Sequence, residues 1–369
     1  MIALWLGIAL LIAALIVKKN KVLYRIQLLY LWLVASNNNG NADYVNYLNG
    51  YVNIFNYNGK ISEPFYWMLA RISNFIGLDF LGYRYLFFAL ALIALGIGIW
   101  KLSVFPNVIL ALYFVYPFTM DVVQMRTMMS NALVLLSIWK IKQYTEESKS
   151  KHLIVSIMLF IIALGFHYSS IAAVIVYCAL LSKDMLRKSI VKLLSLGLIC
   201  VLTILVFGTQ INNKLIALGI LEKAINYQDS GLNVGGYIIC VFLSRIIFVV
   251  ICWLSVHSSK KIRDQRLVNK YHSNEFLLKC VGLLSIYAIL ELTITMEIER
   301  ISRIALITGY SLICNASVFA RNDNYRIIKV MTFLFVLGYF YVMFFRHFAP
   351  SSNWFEYAFL PIFENNLMN

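Results

Sequence analysis

Apolar runs long enough to cross a lipid bilayer recur from one end of this 369-residue chain to the other. A hydrocarbon core about 30 Å thick takes about 20 helical residues. Inside it every backbone N–H and C=O must find a partner within the protein, which leaves only helices or closed barrels. The runs do not alternate apolar and polar positions as barrel strands do. The chain therefore reads as all-α, a polytopic integral membrane protein. Composition agrees: 13% of residues are charged and 61% hydrophobic, where a soluble domain is about a quarter charged.

Hydropathy places spans at 2–17, 22–36, 80–100, 102–119, 124–141, 189–208, 237–257, 274–295, 301–320 and 327–345. Residues 153–182 are too many for one span and few for two. Their flanks are both basic, Lys149 and Lys151 before, Lys183, Arg187 and Lys188 after. That predicts a short hairpin with His167 at its turn, each arm about 14 residues or roughly 21 Å long, so that His167 lies in a depression. The expected architecture is a single membrane domain, 1–369, of about 12 transmembrane helices with both termini outside. A polar extracytoplasmic loop at 37–62 continues into an amphipathic interfacial helix at 63–77, the two together forming an outer region, 37–77. A second outer loop covers 209–236, and the tail 346–369 reads as interfacial. The first span is not read as a cleaved signal, because Lys18, Lys19 and Lys21 follow the apolar run rather than precede it.

The charge distribution supports this topology. Of the 32 lysines and arginines, 22 fall on the inner side, as the positive-inside rule requires. The net charge of +15 is thereby accounted for without a nucleic-acid partner. The six cysteines all sit inside apolar runs with no ligand-like spacing, and read as small core residues rather than disulfides or metal ligands.

The same topology gathers unusual residues on the outer face: Asp43, Glu63, Arg71, Arg84, Asp121, Gln124, Arg126, His167, Glu297, Glu299, Arg300 and Arg303. Arginine is the side chain suited to two-pronged phosphate contact. Arg300 and Arg303 are three apart and share a helix face, at a helix start whose dipole favours an anion. An outward pocket of this kind suits a lipid diphosphate. Ion pairing of Glu297 and Glu299 with these arginines, and snorkelling of Arg71 and Arg84, are the structural alternatives. The Asn- and Tyr-rich loop 37–62 suits sugar stacking or an aromatic belt. Walker A, HExxH, GxSxG and DxD patterns are absent, which argues against nucleotide-driven transport and zinc hydrolysis. Gly96 and Gly98 read as packing glycines.

Asp43 with Tyr44, Tyr47 and Tyr51, then Glu63-Pro64, then Gln124-x-Arg126 opening a helix, then Phe166-His167-x-Ser169 together resemble the EpsG family of Wzy-type polysaccharide polymerases. The resemblance is carried by residues 37–180, and beyond them by Glu299-Arg300 and Arg303. Thr127, Met128 and Met129 depart from the small-residue helix start usual after the Gln-x-Arg element. The resemblance implies a multi-pass protein of the bacterial plasma (inner) membrane that acts on undecaprenyl-diphosphate-linked oligosaccharide. Membrane lipids, a flippase and a chain-length regulator are the implied partners, and no cofactor is implied. It assigns diphosphate binding to Arg126, Arg300, Arg303, Arg71 and Gln124. The acceptor hydroxyl needs a base, for which His167 comes first because imidazole titrates near neutrality; Glu299, Glu63 and Asp43 are the alternatives. A single-addition lipid-phosphate-sugar glycosyltransferase and a lipid-linked-sugar flippase or exporter remain as other functions.

Overall fold

The computed structural model describes residues 1–55, 63–181, 234–258, 265–292, 299–318, 322–345 and 355–368. The expected span 189–208, the loop at 209–233 and Glu297 lie outside these. Among the described residues the chain is all-helical, with one isolated β-bridge, Asn38 to Asn366. It divides into two compact units, Met1–Ile171 with Trp354–Asn369, and Ala172–Asn353.

The first unit is built from α1 (Ile2–Ile16), α2 (Lys21–Asn37), α3 (Tyr44–Val52), α4 (Pro64–Phe75), α5 (Phe80–Leu102), α6 (Pro106–Val115), α7 (Phe118–Val123), α8 (Met125–Glu147) and α9 (Ser150–Phe166). α5 is its axis. Asp79 caps it by accepting from the Gly82 N–H at 2.7 Å, and α2 and α8 pack on it. Gly96 and Gly98 are indeed packing glycines. A Cβ on Gly96 would come within 2.8 Å of Leu28, and one on Gly98 within 3.0 Å of Leu135, so these positions let α2 and α8 close on α5. Tyr24 uses the same gap to donate to the Gly96 carbonyl at 2.6 Å.

α8 and α9 form an antiparallel pair turned at Ser148, which adopts left-handed φ 54. Ser137 and Ser156 hydroxyls meet across it at 2.8 Å. Outside the apolar part, Lys149 and His152 hydrogen-bond to Glu147 and hold its carboxyl below the usual range.

Three expectations are corrected. The span 102–119 is not one helix. It breaks after Val115, where Tyr116 is extended ahead of Pro117, because a residue before proline is driven out of helical conformation. The polar loop 37–62 contains α3: Tyr44, Leu48 and Tyr51 recur at helical spacing, and Tyr44 meets Phe80 of α5 edge-on at 5.4 Å while Tyr51 stacks on Tyr83 at 4.8 Å. The tail is not merely interfacial. Residues Phe355–Phe359 and α15 (Leu360–Glu364) bring Ile362 and Phe363 into the core of the first unit, and Asn366 donates to the Val34 carbonyl at 2.9 Å.

The second unit comprises α10 (Val174–Leu181), α11 (Val234–Ser258), α12 (Gln265–Leu292), α13 (Glu299–Ala316) and α14 (Asn322–Phe345). α11 packs against α12, α13 and α14, with Phe248 stacked on Phe335 at 4.8 Å and edge-on to Tyr310 at 5.7 Å. Cys252, Cys280 and Cys314 are buried and form no disulfide among the described residues. Two of the described helical stretches, Phe80–Leu102 and Arg326–Phe345, are both long and apolar enough to cross a bilayer, each with mean hydropathy 2.0. Ile2–Ile16, Pro106–Val115, Ser150–Phe166 and Phe242–His257 are shorter apolar helices.

Candidate functional site

The centre of the first unit's polar chemistry is Glu63. Pro64 follows it, so Glu63 stays out of the helix at φ −136 and ψ 74, and α4 begins at Pro64. A residue in that position ordinarily turns its side chain back onto the helix N–H groups. Glu63 makes no such bond. Its carboxylate instead faces two other elements: Oε2 accepts from Arg126 Nη1 at the start of α8, and Oε1 lies 3.1 Å from Nδ1 of His167, the residue where α9 ends. Glu63 and His167 side chains are each 2% exposed, and that of Arg126 is 33% exposed.

The chain makes this meeting possible by letting α4 lie close on α9. A Cβ on Gly165 would collide with the ring of Phe65. Phe65 packs on Phe166 at 6.3 Å, and Phe166 on Phe87 of α5 at 6.2 Å. The residues either side of this ring contact are Glu63-Pro64 and His167. Gly165→Ala should therefore push Phe65 away and separate Glu63 from His167. The expected cost is about 1–3 kcal/mol of stability, read as a lower Tm in detergent together with lost activity. Unchanged Tm and activity would show that Phe65 yields without moving Glu63.

Arg126 is placed against electrostatic preference. It is the second residue of α8, where the helix dipole presents positive charge. Glu63 offsets this, as do two rings: Tyr47 of α3 and Tyr66 of α4 lie 5.5 and 5.4 Å from the guanidinium carbon. Burial pushes the Tyr66 phenol well up, so it meets Arg126 as a neutral ring. Among the described residues the buried Arg126 Nε has no hydrogen-bond partner.

His167 Nδ1 lies 3.1 Å from the Glu63 carboxylate and 3.4 Å from the Ser169 backbone N–H. A carboxylate can only accept, so the shorter, charge-assisted contact puts the proton on Nδ1. In the neutral imidazole Nε2 then carries the lone pair.

The other expected site residues fall as follows. Asp43 is half-buried at the start of α3, one turn before Tyr47. Gln124 joins α7 to α8, its carbonyl accepting from Met128 N at 3.1 Å. Arg71 is half-buried on α4, with no ion pair to a described residue and a buried, unsatisfied Nε. Glu299, Arg300 and Arg303 open α13 of the second unit; Arg303 is 1% exposed and Arg300 half-buried. Arg84 serves the fold: it donates to the Asn38 and Ala35 carbonyls at the end of α2 and lies over the ring of Tyr44. Asp121 is buried and accepts from Tyr113 Oη at 2.9 Å.

Two features escaped the sequence reading. Tyr66 beside Arg126 had no signal of its own within an aromatic-rich helix. Arg245 did have one, being an arginine inside the apolar run 237–257, a functional candidate by default. It is fully buried in α11, donates to the Tyr339 hydroxyl and lies 4.8 Å over that ring.

No curated protein and no solved structure matches the chain. The family model described as EpsG family matches residues 21–359, nearly the whole chain. This span takes in the sequence motifs at Asp43, Glu63, Arg126 and His167 in the first unit and at Glu299 to Arg303 in the second, and with it the chain belongs to the EpsG family, which is of polysaccharide-polymerase type.

Proposed function

We propose that the protein polymerises lipid-linked oligosaccharide repeat units. It transfers the growing glycan from undecaprenyl diphosphate to a hydroxyl of the next lipid-linked unit, at the outer face of a bacterial plasma membrane that it crosses several times. The observation that supports this reading is one buried carboxylate, Glu63, shared between a partly exposed arginine and a buried histidine.

Each partner then has a distinct role. The acceptor hydroxyl gives its proton to His167 Nε2 as its oxygen attacks the anomeric carbon. The bond from that carbon to the diphosphate breaks, and undecaprenyl diphosphate leaves with the electron pair. Glu63 holds the Nδ1 proton and stabilises the imidazolium that forms. Arg126, with a third of its side chain exposed, meets the charge developing on the leaving group, where preorganised donors act most strongly. Glu63 thus changes from an alternative base to the residue that positions the base. An anion-contact role for Arg71, Gln124, Arg300 and Arg303 is proposed on their sequence pattern alone.

The donor carries its own leaving group, so the proposed reaction needs no nucleotide. Purified protein in proteoliposomes, given only purified lipid-linked repeat units, should produce a ladder of glycan lengths. A single added unit, or none, would refute polymerisation. In the same assay Arg126→Lys should lose most of the activity despite keeping its charge, because one ammonium cannot serve Glu63 and a phosphate in the planar, two-pronged manner of a guanidinium. Full activity of the lysine variant would remove Arg126 from the anion site.

A further inference from the structure

We infer that Tyr168 is the stacking platform for the acceptor sugar, holding a pyranose of the incoming repeat unit beside His167; the inference rests on the base role proposed for that histidine. The ring of Tyr168 lies 4.9 Å from the imidazole at an interplanar angle of 62°. The neighbouring aromatic residues are turned inward: Tyr66, Tyr83, Phe87 and Phe166 are all buried. Tyr168 is 50% exposed, although the residue before it is nearly inaccessible. It is also fixed in place. The short 3-10 turn Tyr168–Ala173 is closed onto His167, whose carbonyl accepts from Ser170 Oγ at 2.8 Å and from Ser170 N at 3.2 Å.

This arrangement fits the shape of the substrate. A hydroxyl must come within about 2.6–3.2 Å of the base to lose its proton. The sugar ring that bears the hydroxyl then lies against whatever surface adjoins the imidazole, and that surface includes Tyr168. A pyranose offers a face of C–H groups and a rim of hydroxyls. An exposed tyrosine offers an apolar ring face and a polar tip. Stacking of the two orients the rim toward Nε2 and favours acceptor sugars with an uninterrupted axial C–H face. A tyrosine serving only as a headgroup anchor would gain nothing from being clamped to the imidazole.

The test uses the full-length protein in lipid nanodiscs. Its probe is the repeat-unit oligosaccharide released by mild acid from the lipid-linked units that build up in cells lacking this protein. Saturation-transfer NMR should show magnetisation reaching the sugar C–H protons in wild type and in Tyr168→Phe. Tyr168→Leu keeps an apolar side chain but no ring, and should bind the probe roughly 3–10-fold more weakly. In proteoliposomes the acceptor KM should rise by the same factor at unchanged kcat. Equal probe binding by the leucine variant would overturn the inference. So would a fall in kcat at constant KM, because Tyr168 would then only prop His167. The NMR measurement does not require turnover. A failure of His167 as base would therefore appear in polymer synthesis and leave the stacking result to be judged separately.

Discussion

His167→Gln should give a protein that inserts, folds and binds lipid-linked donor, yet makes polymer about 10²–10⁴-fold more slowly, the usual cost of losing a positioned base. Glutamine is chosen because its amide can still donate to Glu63 Oε1, which now faces Nδ1 at 3.1 Å. The buried carboxylate keeps its second partner, and Arg126 keeps its ion pair. What is lost is a nitrogen able to accept a proton near neutrality. Donor binding measured alongside separates a base from a residue that only ends α9. Near-normal polymer from the Gln variant would show that His167 has a structural role and that the proton goes elsewhere, with Asp43 or Glu299 the remaining candidates.

Glu63→Gln should have an effect of similar size by a different route. The new amide can present its oxygen to Arg126, which removes most of the penalty of breaking a buried ion pair, about 3–5 kcal/mol when a partner is simply deleted. Arg126 is also a third exposed, so solvent screens what remains. The amide nitrogen then faces His167 Nδ1, and two donors cannot share that contact. The imidazole must move its proton to Nε2, where it blocks acceptance from the sugar hydroxyl. The Ser169 N–H, 3.4 Å from Nδ1, reinforces this unproductive tautomer. The analogous substitution in the serine-protease triad costs about 10⁴-fold in rate, and a loss of about 10²–10⁴-fold is expected here with Tm nearly retained. A variant that folds, and polymerises at the wild-type rate, would show that Glu63 only neutralises Arg126.

Much of the local structure is legible along the chain. The boundaries of α1, α2 and α5 follow apolar runs, α8 begins with its run but continues through polar residues to Glu147, the amphipathic piece 63–77 becomes α4 after Pro64, and His167, expected at a hairpin turn, is where α9 ends. The arm before it is longer than expected, 17 residues or roughly 25 Å, and His167 is buried all the same. Helix 102–119 was misread because hydropathy averages across Tyr116-Pro117. The helix α3 was missed because its asparagines mask a regular placement of Tyr44, Leu48 and Tyr51.

The sequence by itself determined the all-helical class, the family motifs and the residue types capable of the chemistry: a histidine, an arginine and several carboxylates near helix ends. Those are local properties, set by hydropathy, proline and side-chain chemistry within a few turns. Which carboxylate serves which cation was decided only by tertiary structure. Glu63, Arg126 and His167 belong to three elements far apart in the chain, and their meeting depends on how closely those elements pack, down to the missing Cβ of Gly165 under the ring of Phe65. Burial is likewise a property of the assembled helices. Arg84 and Arg126 look alike in the sequence, but one is enclosed against the carbonyls ending α2 and the other keeps a third of its side chain exposed. That difference leaves Arg126, and not Arg84, accessible for the ligand contact proposed for it.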